Sequence, residues 1–353
     1  MMEMIETPRL ILRPFEAADY PLILRISSDP DTVKYLYFWG RNGMTPEQDA
    51  ARFMNHALKE WEKDPVAMRE YCVILKETGE MIGDASVEIV DDDTAEIGWI
   101  LLPEHRGRGY ATEAGRAMMD FGFLRYGKDR VIAHCDTRND PSQSVMRRLG
   151  MALAHVEKEG RAPKFEGGPR GDEATYALSR VDWAWQKYRL LTCENDQFLP
   201  LPDLTDGEVR LACEEKAPAD PVKKWVPAYS FGILVNGVRA GNIDLRLGTV
   251  DGLFYGGQIG YNVDEAYRGK GYAGRACRLA QRVLQLHGMN AALITNDVNN
   301  LSSRRVCEKL GCPWLCRATL PKDNDMRKEG MEEVNLFLLP AQEGPSVFFP
   351  LFR

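Results

Sequence analysis

Between residues 70 and 101 the chain reads EYCVILKETGEMIGDASVEIVDDDTAEIGWIL, three apolar-rich runs parted by Thr78-Gly79 and by Asp91, Asp92 and Asp93. Apolar runs bounded by turn residues in this way predict an antiparallel meander. A second stretch, SFGILVNGVRAGNIDLRLG at 230–248, sets Asn236-Gly237 between two strand-like runs, a strong hairpin signal. The period then changes in both regions. Ala111, Ala114, Met118, Phe121 and Leu124 recur at helical spacing, and so do Ala273, Ala276, Ala280, Val283 and His287. A strand follows each helix, over 131–136 and 291–296, and a short helix begins near Asn139 or Asn300.

The two regions are copies of one another. IGWILLPEHRGRGYAT (97–112) and IGYNVDEAYRGKGYAG (259–274) agree at seven of sixteen positions with a constant offset of 162. Downstream, NDPSQSVMRRLG (139–150) and NLSSRRVCEKLG (300–311) agree at five of twelve, with the offset changed by one residue. The chain is therefore a tandem repeat. The expected organisation is a first domain at 1–183, whose last strand closes at Trp183. A Pro-rich linker and irregular start of the second domain follow at 184–228, then the second domain at 229–340 and a tail at 341–353 whose Phe348, Phe349 and Phe352 are expected to pack.

Length agrees with two domains, since 353 residues exceed the roughly 100–200 of an ordinary one. No apolar run approaches the roughly 20 residues that span a bilayer, and the opening MMEMIETPRL has none of the pattern of a signal peptide, so the expected location is the cytoplasm with no membrane partner. Residues 1–183 carry 24 Lys+Arg against 32 Asp+Glu, a net of −8, and residues 184–353 carry 21 against 20, a net of +1. Neither half is basic enough for nucleic acid, and the acidic first half would favour a cationic partner. A homodimer stays open as a partner state. The eight cysteines are expected as free thiols in a reducing compartment. Cys307, Cys312 and Cys316 lack C-x₂-C spacing and a nearby histidine, so no metal is expected.

The glycine loops carry the chemistry. Arg106, Gly107, Arg108, Gly109, Tyr110, Ala111 and Thr112 follow a strand and open a helix, as do Arg268, Gly269, Lys270, Gly271, Tyr272, Ala273 and Gly274. Backbone N–H groups clustered at the positive end of a helix make a site for phosphate or pyrophosphate. Gly109, Ala111, Gly271 and Ala273 lack bulk, so phosphates can reach the backbone, and Arg106 and Arg268 add charge. The alternative for either loop is a merely tight turn. Gly269 to Gly274 also satisfies the dinucleotide pattern G-x-G-x-x-G, with Asp297 downstream. That pattern belongs in the first turn of a βαβ unit, whereas an antiparallel meander precedes this loop and Thr112 replaces the third glycine in the first copy.

The motif Arg-x-x-Gly-x-Ala after a strand, with Asn-x-x-Ser and Leu-Gly downstream, resembles the acetyl-CoA site of the GNAT superfamily of N-acetyltransferases. The opening ETPRLILRPFEAADYPLILRISSDPDTVKYL and the ending YALSRVDW are similar to the branch that includes the ribosomal-protein-alanine N-acetyltransferases. The resemblance spans nearly all of residues 5–183, and residues 229–339 in the second copy. It implies an α+β fold of two tandem domains, each a central, mostly antiparallel sheet with a splayed strand pair flanked by helices. The pantetheine arm of acetyl-CoA would lie in the splay, and an acceptor amine, on a small molecule or a protein N-terminus, would attack the thioester. An amine of pKa about 10 must lose a proton, and a thiolate of pKa about 8.5 leaves more easily if protonated. Glu96, on the splayed strand, is the candidate base of the first copy; its alternative is a solvated residue leaving the Asp91–Asp93 turn. Gln258 occupies that position in the second copy and cannot be a base. Ser142 is the candidate acid, or else a helix N-cap. Many superfamily members carry a Tyr four residues further on, where this chain has Met146 and Cys307. Asn139, Asn300 and Ser303 would contact the cofactor or cap their helices. The alternative function is an acyl-CoA-binding sensor or scaffold in which one or both copies perform no chemistry.

Overall fold

The computed structural model describes residues 4–342 apart from 37–39, 41–42, 63–66, 162–169, 190, 192 and 249. The chain divides into two compact units, 1–180 and 181–348 among the residues up to 348. The expected packing of the tail aromatics at 348, 349 and 352 lies outside the described residues.

The first unit begins with β1 (Ile5–Glu6) and β2 (Leu10–Pro14), followed by helices α1 (Tyr20–Ser28), α2 (Pro30–Val33) and α3 (Pro46–Glu60). The meander is β3 (Met68–Leu75), β4 (Met81–Ile89) and β5 (Thr94–Leu101). Then come α4 (Tyr110–Asp120), β6 (Arg130–Asp136), α5 (Asp140–Arg148), β7 (Ala152–Arg161) and β8 (Gly171–Ser179). Helix α6 (Arg180–Tyr188) leads out of the unit. The eight strands form one sheet in the order β1-β2-β3-β4-β5-β6-β8-β7. Every pairing is antiparallel except β5 with β6, which run parallel and meet only at Thr94↔Arg130, Ala95↔Val131 and Glu96↔Ile132. Beyond Glu96 these two strands pair no further, which is the splay.

Local sequence explains the helices that cover the sheet. Thr45 caps α3 in a reciprocal capping box with Gln48, Pro46 occupies its first turn, and Ala50, Met54 and Ala57 at helical spacing are buried. They pack with Ile23 and Ile26 of α1 and Cys72 of β3 in one apolar cluster. Helix α4 buries Ala114, Ala117 and Met118 and continues as a π-helical turn over Phe121–Arg125.

In the second unit, β9 (Val209–Ala217), β10 (Ala228–Val235), β11 (Val238–Arg246), α7 (Asp251–Gly256), β12 (Ile259–Val263) and α8 (Tyr272–Leu286) come first. They are followed by β13 (Ala291–Asp297), α9 (Leu301–Lys309), β14 (Trp314–Thr319), α10 (Asp325–Lys328) and β15 (Glu333–Pro340). Its sheet runs β14-β15-β13-β12-β11-β10-β9, again with one parallel pair, β12 with β13, registered at Ile259↔Ile294. Asn236 and Gly237 join β10 to β11 with φ of 50° and 81°, the left-handed pair that a tight hairpin turn requires. Both halves are thus mixed α/β sheets flanked by helices, as the resemblance implied.

Two local expectations change. The strand expected to close at Trp183 ends at Ser179, and Trp183, Ala184 and Tyr188 are buried instead at helical spacing on α6. Strand β9 lies within the Pro-rich stretch read as irregular, because Val209 and Leu211 alternate into the core beside the hairpin.

Candidate active site

The sequence of the first loop sets its backbone. Gly107 and Gly109 have φ of 75° and 82°, in the left-handed region open to glycine at little cost. Gly109 is the N-cap of α4 and offers no side chain, so the N–H groups of the first turn are not capped by it. Arg106 turns back on its own strand: Nε donates to the Leu101 carbonyl at 3.0 Å and Nη2 to Thr32 Oγ1 at 2.6 Å. It fixes the loop against β5 and α2. The Arg108 carbonyl accepts Nη1 of Arg9 at 3.0 Å.

This loop is one end of a cavity of about 1420 Å³. Arg106, Gly107, Gly109, Tyr110, Ala111 and Thr112 line it together with Asn139, Ser142 and Glu96, so nearly all the residues named for the first copy meet in one space. Asn139 caps α5 by accepting the Ser142 N–H at 3.2 Å. The capping atom is therefore Asn139 Oδ1, and the Ser142 hydroxyl has no capping role. Met146, in the place where many of the superfamily carry a Tyr, is buried on the same wall.

Glu96 sits at the last paired position before the splay and makes an ion pair with His134, Nδ1 to Oε1 at 2.9 Å. His134 was not singled out from the sequence. The available signal was a lone polar residue within the buried run Val131, Ile132, Ala133 and Cys135 of β6. The hydrogen bond that the imidazole donates to Glu96 raises its pKa against the opposing effect of burial. Beside the loop, Arg148 donates from Nε to Thr112 Oγ1 at 3.2 Å and adds a cation at the loop end of the cavity that the repeat alignment did not mark.

The opposite end of the cavity is acidic. Glu60, Glu70, Asp84, Glu88 and Glu173 line it with Glu96. Burial first, and then the charge of Glu96, pushes the Glu88 carboxyl above its usual range. Asp91, Asp92 and Asp93, expected near this mouth, are exposed and do not line the cavity; Asp91 Oδ1 closes the turn by accepting the N–H groups of Asp93 and Thr94.

The second copy repeats the loop and departs at the splay. Gly269 and Gly271 have φ of 78° and 83°, Gly271 caps α8 without a side chain, and Arg268 Nε donates to the Val263 carbonyl at 2.9 Å. Lys270 bonds the Ala266 carbonyl at 3.1 Å, and Tyr272 donates to Glu208 at 3.0 Å. Ala273 and Gly274 form the first turn of α8. Gln258 is buried, and its Oε1 accepts the Leu293 N–H at 2.7 Å, tying β12 to β13. Asn300 accepts the Ser303 N–H at 3.0 Å, while the Ser303 hydroxyl lies 3.0 Å from that of Tyr261. The residue of the second copy that matches His134 is Thr295, aligned through Asp136 and Asp297.

The buried thiols of Cys307 and Cys312 belong to the apolar core of the second unit together with Cys277. The one group of metal-ligating side chains close enough to share an ion among the described residues is Glu80, Glu104 and His105, in which Glu104 also pairs with Arg25. No helix among the described residues is long and apolar enough to cross a membrane.

A family model described as acetyltransferase (GNAT) domain matches residues 9–152 and again 173–313. The chain is similar to the uncharacterized N-acetyltransferase YnaD of Bacillus subtilis (strain 168), 33% identical over 183 residues that take in 51% of this chain and 98% of that protein. It is 29% identical over 167 residues to the uncharacterized N-acetyltransferase p20 of Bacillus licheniformis, covering 47% of this chain and 88% of that one. Among solved structures, a GNAT-family acetyltransferase from Bacillus anthracis aligns at 30% identity and a TM-score of 0.42, over 50% of this chain and 98% of its own.

Proposed function

Because the chain belongs to the acetyltransferase (GNAT) family, in tandem arrangement, we propose that its first copy transfers the acetyl group of acetyl-CoA to a primary amine. The observation that carries this reading is the Glu96–His134 pair, placed at the splay in the same cavity as the uncapped α4 terminus. The pyrophosphate of acetyl-CoA would lie on the N–H groups from Gly107 to Thr112, with Arg148 beside it. The thioester would then reach the splay, where β5 and β6 leave backbone groups without strand partners. His134, oriented by Glu96, accepts the ammonium proton, and the neutral amine attacks the thioester carbon. The C–N bond forms and the C–S bond breaks; the thiolate takes a proton from the Ser142 hydroxyl, which is restored by the second proton that the nitrogen loses on becoming the amide. Holding amine and thioester in line supplies much of the rate.

The second copy supports CoA binding through Gly269 and Gly271 but is proposed to perform no chemistry. Gln258 is not a base and is engaged with Leu293, and Tyr261 occupies the Ser303 hydroxyl. Steady-state thiol release from acetyl-CoA with a panel of amines tests the reading. Turnover that disappears in His134→Ala is expected; absence of acyl-CoA binding at both copies would overturn it. Of the two acceptor classes, the acidic lining favours a small cationic amine over the peptide N-terminus suggested by likeness to the ribosomal-protein-alanine branch.

A further inference from the structure

Three rows of side chains share the cavity face of the β3-β4-β5 meander. Strand register puts Met68, Glu88 and Glu96 in one row, Glu70, Ser86 and Gly98 in the next, and Cys72, Asp84 and Ile100 in the third. Glu70 and Asp84 are therefore diagonal neighbours, close enough for each carboxyl to act on the ionisation of the other. They are 5% and 4% exposed, both line the cavity, and Glu70 Oε2 and Asp84 Oδ1 have no hydrogen-bond partner. The third row borders the apolar cluster of α1 and α3 through Cys72 and Ile100.

The other carboxylates of this end each have a basic neighbour. Glu96 has His134 at 2.9 Å, Glu173 has Arg161 at 3.3 Å and Glu60 has His56 at 3.7 Å, while Glu88 feels the charge of His56. Neither Glu70 nor Asp84 has a basic partner among the described residues. Two carboxyls out of water without a cation are costly to keep. Burial, and then the neighbouring negative charge of Asp84 and Glu88, drives Glu70 toward its neutral form, and burial does the same to Asp84. What is missing from the pair is a positive charge.

We propose that Glu70 and Asp84 form the binding site for a second ammonium group of the acceptor, so that the substrate is a diamine or a longer polyamine. This rests on the acetyltransfer reading and adds the acceptor class to it. Glu70 lies two strands and one row from Glu96, a backbone separation of ~12 Å from strand spacing and rise. An alkyl spacer fits between an amine beside His134 and an ammonium at the pair. The charged groups that share the space are Asp31 and Arg52 from the α2 and α3 side, His56 and Glu60 from α3, Glu88 from β4, Glu96 and His134 at the splay, and Arg161 and Glu173 from β7 and β8, with Arg106 and Arg148 at the glycine loop. Cys72 from β3 stands in the same row as Asp84, and its thiol is pushed up to about 12 by burial first.

The test compares 1,4-diaminobutane, 1,5-diaminopentane and 1,6-diaminohexane with butylamine, pentylamine and hexylamine in the full chain. The parent protein is expected to favour at least one diamine over its monoamine at least tenfold in kcat/KM. Glu70→Gln and Asp84→Asn, singly and together, are expected to remove that preference while leaving monoamine turnover intact. Equal loss on both amines in folded variants would make the pair structural or catalytic and overturn the proposal, as would a parent that does not prefer diamines. Calorimetry on the unaltered protein gives a second arm that needs no turnover. Diamine binding at pH 6, followed in two buffers of different ionisation enthalpy, is expected to release up to about one proton as the ammonium ionises the pair. Binding without proton release would refute the site even if acetylation is confirmed, and proton release without acetylation would sustain the site while removing the catalytic reading.

Discussion

At the level of single residues, the pairing of His134 with Glu96 controls how the proposed reaction responds to pH. The base must be neutral to accept a proton, and the hydrogen bond it donates to Glu96 raises the pKa of the imidazole. Activity is therefore expected to climb as pH rises through that raised value. Glu96→Gln removes the charge that holds the proton, so the acid limb of the kcat/KM profile should move to lower pH, whereas His134→Ala removes the base itself and should cost roughly 10²–10⁴-fold. A profile unmoved by Glu96→Gln would show that His134 is not the titrating group. The same shift bears on stability with a definite sign. A histidine whose folded pKa is raised contributes stability that is present below the unfolded pKa and is lost as pH rises through the folded one.

Elements show how two copies of one architecture are held closed by opposite charges. In the first unit, Glu113 on α4 accepts Thr7 Oγ1 at 2.6 Å, the Arg9 N–H at 2.8 Å and Arg9 Nε at 2.6 Å, latching the chain before β2 onto the helix. In the second, Arg275 stands at the matching place on α8 and binds Asp206 and Glu208 before β9. The acid and the base have exchanged sides. Burial alone would raise the Glu113 carboxyl, yet the bonds from Thr7 and Arg9 hold it below the usual range, so the latch is stabilising above the unfolded pKa and is lost as pH falls through the lowered one. Arg9→Glu and Glu113→Arg should each lower Tm, and the double exchange should recover a coupling of about 0.5–1 kcal/mol, the scale of a half-exposed pair. A double variant no more stable than the sum of the singles would remove the latch. The loops that open α4 and α8 give a second prediction. A β-branched residue at Gly109 or Gly271 must adopt a φ above 80°, at a cost of about 1–3 kcal/mol, and blocks the approach to the N–H groups. Gly109→Val should abolish turnover, and Gly271→Val should leave it.

For the whole molecule, the family model matching twice and relatives spanning about half this chain mark it as two units of one kind. A CoA titration is accordingly expected to find two sites in the parent protein and one in either glycine variant; retention of both would refute the phosphate reading of the loops. The halves differ in charge, −8 for residues 1–183 and +1 for 184–353. A cationic acceptor drawn to the first half should show a KM that rises with ionic strength, because exposed charges are screened beyond about 8 Å at physiological salt. A salt-independent KM would count against steering.

The repeat, the meanders and the helices behind the glycine loops were legible in the sequence alone, because these are local or recur at fixed spacing. The sequence also placed Glu96 on the strand that splays. It did not place His134, since that residue meets Glu96 only through the parallel pairing of β5 and β6, whose strands are separated by a whole helix in the chain. Nor did it reveal Glu70 with Asp84. They read as ordinary polar positions of alternating strands, and only the register of β3 on β4 and the cover of α1 and α3 make them a buried pair without a cation. Gln258 shows the same division. Its identity excluded a base from the sequence alone, but that it serves instead as a tie to Leu293 was decided by tertiary structure, because a buried amide must find a partner and β13 supplies it.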